Sequence, residues 1–304
     1  MAFEALRGHE EELSTLPTVL ENLRWGWLLP AAIVEAASYV AFAGVQYRLL
    51  GAGGLRPPVR PLIAITFGGQ SINNSLPGGP ALAAVYAFRW FRRFGADDTL
   101  AGWAIVGTGI TAAVTLALVA AGGLAMATAE GATLDLVPVV IGVLLVALAI
   151  GAVFVYERPM VVLVGLWVRV SKRLFGRPRR DQEAAIAAVM RRVTAVRLGW
   201  RDVLEILGWG TSNWLLDCAC FAFAFLAIGA PIPWRGLLLA YGAGQLAANL
   251  PITPGGLGVV EGSITIALVA FDGAKVSTVD AVVLYRLLSF WAALIVGWVL
   301  AGVM

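Results

Sequence analysis

The chain has 304 residues, of which 60% are hydrophobic and 13% charged, with a mean hydropathy of +0.83. Soluble domains carry about a quarter charged residues, so an ordinary water-soluble core is excluded and an all-α polytopic membrane protein is expected. A formal charge of +3 and a single histidine, His9, leave no histidine-based metal site or triad, and no metal or cofactor is expected.

In chain order, residues 1–26 have neither a basic start nor an apolar run, so they are not a signal peptide. They read as a short acidic amphipathic or loop segment, or as the stump of a longer chain. Apolar stretches follow near 25–50, 100–128, 134–157, 202–229 and 278–302, each long enough to cross about 30 Å of hydrocarbon at 1.5 Å per residue. Two further stretches, 61–93 and 234–271, are apolar at both ends and broken in the middle, at "NNSLPGGP" and "NLPITPGG". Their arms run to roughly 14–17 residues, short of the ~20 that span a bilayer. Each fits a hairpin that enters the membrane and returns to the same side.

Charge tests this topology. With the N-terminus outside, the inside collects Arg48, Arg56, Arg60, Arg89, Arg92, Arg93, Arg158 and the ten basic residues of 169–201, which together make 17 of the 22 Lys and Arg. The positive-inside rule is satisfied. Two-pass hairpins would give the same sidedness, so charge leaves re-entrant and fully crossing arms both open.

The order span, broken hairpin, span occurs at 25–128 and again at 202–302, and the connecting span at 134–157 reverses the second copy. The segments "QSINNSLPGGP" and "QLAANLPITPGGLG" share Gln, Asn four residues later and then a Pro-Gly-Gly. Paired Gly/Pro interruptions in oppositely directed copies are the pattern of inverted-repeat transporters, giving one transmembrane domain over 1–304.

The breaks have a chemical consequence. Proline removes an N–H and glycine admits backbone angles that other residues avoid, so the chain can turn inside the membrane. The freed backbone groups must then face protein, water or a polar ligand, because facing lipid costs several kcal/mol for each group. Candidate translocation residues are therefore Gln70, Asn73, Asn74, Pro77, Gly78 and Gly79 at the first break, and Gln245, Asn249, Thr253, Pro254, Gly255 and Gly256 at the second. Amides at the start of the helix after Gly256 could receive an anionic headgroup. The plainer alternative is that these polar groups cap broken helices and satisfy one another.

Charge at membrane depth costs at least about 2.5 kcal/mol when uncompensated, which singles out Glu35, Asp217, Glu261 and Arg286. Glu261 and Arg286 are expected to pair, either as structure alone or as part of a headgroup or proton site. Glu35 and Asp217 fall at related depths in the first span of each copy and are candidates for a shared cavity or for coupling. Cys218 and Cys220 lie two apart, on different helix faces, and read as packing residues. Glycines such as Gly122, Gly123 and Gly297 permit close helix contacts within one chain or between two.

The basic loop 169–201 has a helical period at Ala185, Ile186, Val189, Val193 and Val196. It reads as a topology-setting cytoplasmic segment able to lie on anionic lipid, not as a nucleic-acid site.

The segment "NLPITPGGLGVVE" resembles the hallmark of the lysylphosphatidylglycerol synthase transmembrane family, which includes the flippase half of the multiple peptide resistance factor. "NNSLPGGPALAAVYAFRWFRRFG" looks like that family's first hairpin, and the likeness runs from about residue 22 onward. In the family's commonest form the first hairpin carries Arg, Glu and Arg where this chain has Gly79, Leu82 and Val85, its nearest arginine being Arg89. Members also usually begin with one more span ahead of residue 25.

The resemblance implies a bacterial or archaeal cell-membrane flippase or scramblase for a polar-headed lipid: an anionic or aminoacylated phospholipid, or a polyprenyl-linked one. No segment reads as an aminoacyl-transferase domain and no G-x-x-x-x-G-K-[ST] run is present, so passive or gradient-coupled movement is expected rather than enzymatic or ATP-driven work. The other readings are a non-transporting partner subunit of a lipid synthase or glycosyltransferase, and an intramembrane lipid-modifying enzyme. The partners expected are membrane lipids, with a homodimer or a synthase partner also open.

Overall fold

A computed structural model describes residues 23–76, 78–129, 138, 141–142, 144–145, 149, 198–248, 256–271 and 275–303. Among these the secondary structure is helical throughout. A single 3₁₀ turn, Trp25–Trp27, leads into α1 (Leu28–Ala52), followed by α2 (Val59–Ser75), α3 (Gly79–Arg93) and α4 (Asp98–Ala129). After the connecting region come α5 (Trp200–Ala227), α6 (Trp234–Ala248), α7 (Val259–Ala270), α8 (Lys275–Arg286) and, beyond a π-helical turn at Leu287–Ala292, α9 (Ala293–Val303).

Four helical stretches are long and apolar enough to cross a membrane: Trp25–Ala52, Asp98–Ala127, Trp200–Ala227 and Val276–Val303. They match the expected spans at 25–50, 100–128, 202–229 and 278–302. In α4 the apolar residues go all the way round, with Val114, Leu116 and Val119 buried while Val106 and Met126 are exposed. A helix apolar on every face suits protein on one side and lipid on the other. The expected span at 134–157 and most of the basic loop lie outside the described residues.

The centre of the molecule is an antiparallel pair, α1 against α5. Arg24 N–H donates to the Ala227 carbonyl at one end (2.7 Å) and Arg48 pairs with Glu205 at the other. Between them Gly44 lies under the Trp209 ring, where a Cβ would come within 2.6 Å of it. The partners run in opposite order along the two helices, so residues one-third along α1 meet residues two-thirds along α5.

Both broken stretches fold as helical hairpins with arms of 17 and 15 residues in the first and 15 and 12 in the second. In the first, Gly68 packs beside the Tyr86 hydroxyl; in the second, Gly244 packs on Ile264 and Gly236 on Phe271. Each hairpin is seated on a span from the other half of the sequence. Gly297 of α9 lies on the Phe67 carbonyl and Ser71 side chain of α2, and Ser71 Oγ donates to the Ala293 and Leu294 carbonyls at 3.2 and 3.1 Å. Correspondingly, Gly123 of α4 lies on the backbone of α6, where a Cβ would sit 2.7 Å from the Leu239 nitrogen. Any side chain at either glycine would force the helices apart.

The two ends of the bundle differ. The Trp25, Trp27 and Trp234 end carries Arg24 and Arg235, and the first two indoles and Trp234 are exposed at 63%, 39% and 60%. At the other end Leu49, Leu62, Phe91, Leu100 and Ile206 close one core cluster, ringed by Arg48, Arg56, Arg60, Arg89, Arg92, Arg93 and Arg201. Here Arg93 lies over the Trp90 ring at 4.6 Å and Arg201 over Trp200 at 5.2 Å. Indole and guanidinium pairs of this kind suit the two membrane-water boundaries.

Candidate functional site

A polar cluster inside the apolar bundle is built by α1, α5, α6 and α8. Asp217, midway along α5, accepts from three side chains. Tyr241 Oη donates to Oδ2 at 2.7 Å, Gln245 Nε2 to the same oxygen at 3.1 Å, and Tyr285 Oη to Oδ1 at 2.8 Å. Tyr241 and Gln245 are four residues apart, which places both on one face of α6. Gln245 spends a second N–H on Tyr285 Oη at 3.1 Å, tying α6 to α8. Three donors on one carboxylate are what a charge in hydrocarbon requires.

The α1–α5 register brings Glu35 to Asp217. The two carboxyl groups lie in hydrogen-bond contact, and Cys220 touches Glu35 from the same side. Glu35 is 6% exposed, and its Oε2 is buried with no hydrogen-bond partner among the described residues. Tyr39, one turn along α1, donates from its hydroxyl to the Ser289 carbonyl at 3.2 Å. That carbonyl belongs to the π-helical turn, whose wider ladder leaves backbone groups available to side chains.

Immediately before that turn, Arg286 Nε meets Glu261 Oε1 at 2.6 Å, with the side chains 12% and 23% exposed. Glu261 Oε2 also accepts the Gly258 N–H at 2.7 Å, closing the start of α7 as a capping box. The expected ion pair is present, and the same carboxylate occupies one of the helix-start amides expected to be open. The Arg286 guanidinium lies over the Phe290 ring at 4.5 Å and is near enough for its charge to act on Asp217.

The first break is a separate, uncharged site. Gln70 and Asn73 each donate to Asn74 Oδ1, at 3.4 and 3.2 Å, so the amides expected to face a ligand engage one another. Gly78 takes φ +70°, a left-handed angle that a Cβ resists, and Gly79 lies directly on the Asn73 carbonyl, leaving no room for one. Arg89 is ten residues into α3, about 15 Å along the helix from this turn, and is exposed at the arginine-rich end. It is not brought together with Asn73 and Asn74. Gly256 is left-handed at φ +69° and packs on Val260, while Pro77, Asn249, Thr253, Pro254 and Gly255 lie outside the described residues.

Sequence reasoning missed the tyrosines. Tyr39, Tyr241 and Tyr285 are hydroxyl-bearing rings inside apolar helices, and the Tyr241/Gln245 spacing was the signal that could have placed two of them on one polar face. Cys218 and Cys220 are both buried and are not bridged to each other. Among the described residues no three His, Cys, Asp or Glu side chains converge as metal ligands.

Comparison with known proteins matches residues 9–297 to the family described as Lysylphosphatidylglycerol synthase TM region. The chain is also 26% identical over 132 residues to the UPF0104 membrane protein PH1989 of Pyrococcus horikoshii. That match takes in 43% of this chain and 37% of the relative's length. The similarity therefore spans little more than a third of that relative.

Proposed function

The chain belongs to the lysylphosphatidylglycerol synthase TM region family, and from that premise we propose that this multi-pass membrane protein moves a polar-headed lipid between leaflets as a flippase or scramblase. The observation that carries the reading is the depth of the two hairpin tips. Gly123 packs at Leu239, and Gly242 packs at Ala120. The end of α6 at Ala248 is six residues further on, about 9 Å, and so level with the middle of α4. In the same way Ser71 meets Ala293 and Leu294 near the middle of the last span, and the first break follows within a few residues. Arms that stop at mid-depth support re-entrant hairpins.

The reciprocal seating, α2 on α9 and α6 on α4, supports two inverted copies, 25–128 and 202–302, joined by a connecting span at 134–157. The arginine-rich end supports a cytoplasmic side there, with the N-terminus outside, in a bacterial or archaeal cell membrane.

In this mechanism the acyl chains stay in lipid while the headgroup passes between the hairpins. Arg89 and its neighbours gather anionic headgroups at the inner face. Asn73, Asn74, Asn249, Thr253 and the amides around Gly78, Gly79, Gly255 and Gly256, with the turns set by Pro77 and Pro254, replace water at mid-depth. Arg286 releases Glu261 to meet a phosphate and recovers it afterwards. No covalent step is needed, so the protein acts as a transporter rather than an enzyme, driven by a gradient or by none.

The test is leaflet exchange in proteoliposomes without ATP, using fluorescent phosphatidylglycerol, phosphatidylethanolamine and a polyprenyl phosphate in parallel. Exchange of one class is expected, and loss of it in the Asn249→Ala/Glu261→Gln double variant at equal folding. No exchange of any class by folded protein would reject transport in favour of a partner-subunit role, and undiminished exchange by the double variant would reject the site.

A further inference from the structure

We infer that Glu35 and Asp217 hold one proton between them, and that this protein's lipid movement exchanges it. The first half stands on the geometry of the buried pair; the second rests on the lipid-moving reading above.

A carboxylate oxygen accepts hydrogen bonds and cannot donate, so two carboxyl groups in contact need a hydrogen between them. The surrounding donors decide where it sits. Asp217 already receives hydrogens from Tyr241, Gln245 and Tyr285, which hold the negative charge on its two oxygens. Glu35 receives none at Oε2, which is buried and unpartnered among the described residues. A proton on Glu35 makes that carboxyl a donor, with Asp217 beside it as acceptor.

Groups face the pair from every helix around it: Tyr39 on α1, Cys218 and Cys220 on α5, Tyr241 and Gln245 on α6, and Tyr285 with Arg286 on α8. Arg286 is the cation among them, and it is engaged by Glu261. A metal cation is a poor occupant because three donor hydrogens already point at Asp217. A lipid headgroup is too large for a place walled by Tyr241 and Tyr285, which are 0% and 1% exposed. A proton needs no cavity.

The placement of the pair makes its charge consequential. Losing the proton leaves two adjacent negative charges, and that of Asp217, which Arg286 already feels, competes with Glu261 for the guanidinium. Tyr39, one turn from Glu35 on α1, donates to the Ser289 carbonyl in the π-helical turn that follows Arg286 directly. Proton release would thus loosen the Glu261–Arg286 pair, and proton uptake would restore it. The proton is a second ligand of the same machinery, and Glu35 and Asp217 are positioning residues that act through Arg286.

Infrared spectroscopy of the full chain in lipid tests the pair without reference to transport. The wild type at neutral pH is expected to show a protonated-carboxyl stretching band that shifts in heavy water and disappears in both Glu35→Gln and Asp217→Asn. The amides can each supply the bridging hydrogen bond, which keeps the fold. A wild type without the band, or a band that survives both substitutions, overturns the shared proton. Lipid exchange then tests the coupling: the wild-type rate is expected to change with pH by up to about tenfold per unit, the limit for one proton, and Glu35→Gln to respond at most slightly. The infrared band in a chain that moves no lipid would sink the transport reading while leaving the pair intact. The band together with pH-independent exchange would overturn the coupling.

Discussion

The two hairpins, α2 with α3 and α6 with α7, hold their polar side chains by opposite means. The first, between α2 and α3, is neutral. Gln70, Asn73 and Asn74 bond among themselves, and the turn is made by a left-handed Gly78 and a Gly79 that fits flat on the Asn73 carbonyl. The second, between α6 and α7, is flanked by charge. Glu261 caps α7 and binds Arg286, and Gln245 reaches the Asp217–Glu35 centre. Amides that satisfy one another cost little to keep and carry no net charge for a neighbour to shift. Charges held by several partners are costly to disturb and answer to any change in a neighbouring charge. One hairpin is held by neutral amides and the other is flanked by coupled charges.

That contrast is open to direct attack. The largest effect belongs to Arg286→Ala, which strands Glu261 and is expected to cost about 3 kcal/mol, the lower end for breaking a buried pair because both side chains keep some exposure. Unfolding in mixed micelles with rising dodecyl sulfate would measure it, and adding Glu261→Gln should recover more than half. Next comes Gly79→Ala, where the new methyl meets the Asn73 backbone, at about 2–3 kcal/mol by the same titration. Tyr241→Phe removes one of three donors to Asp217 and should cost about 2 kcal/mol, as for a hydrogen bond to a charged group. Smallest is Asn74→Ala, about 1 kcal/mol, since its partners are neutral and partly exposed. If Asn74→Ala matched Arg286→Ala, the distinction between the two hairpins would fall.

Several of these features could be read from the chain alone. Four of the expected spans and both hairpins follow from composition, because uninterrupted apolar runs and Gly/Pro breaks are local properties of sequence. The Glu261–Arg286 pair was legible for a similar reason: two opposite charges at membrane depth have few other partners. The Glu35–Asp217 contact was harder. It depends on the antiparallel register of α1 on α5, set by Gly44 under Trp209 and by Arg48 with Glu205, contacts between residues far apart in sequence. The tyrosine hydroxyls were missed because their apolar rings hide them in a hydropathy reading, and their acceptors lie on other helices. The π-helical turn has no proline or glycine to announce it; Leu287–Ala292 would pass for ordinary helix.

The glycine seats bear on how the chain is made. Residues 59–75 of α2 are complete early in synthesis, but the face that holds Gly297 has no occupant until the last helix enters the bilayer, and the face of α6 depends in turn on Gly123 from the opposite half. Each half therefore lends an arm to the other. The first half cannot reach its final packing during its own translation, whereas α6 finds Gly123, and α9 finds α2, already made. A nascent chain halted before α9 would leave the Phe67 and Ser71 face of α2 without its partner helix, the Ser71 hydroxyl falling back on the Phe67 carbonyl of its own helix.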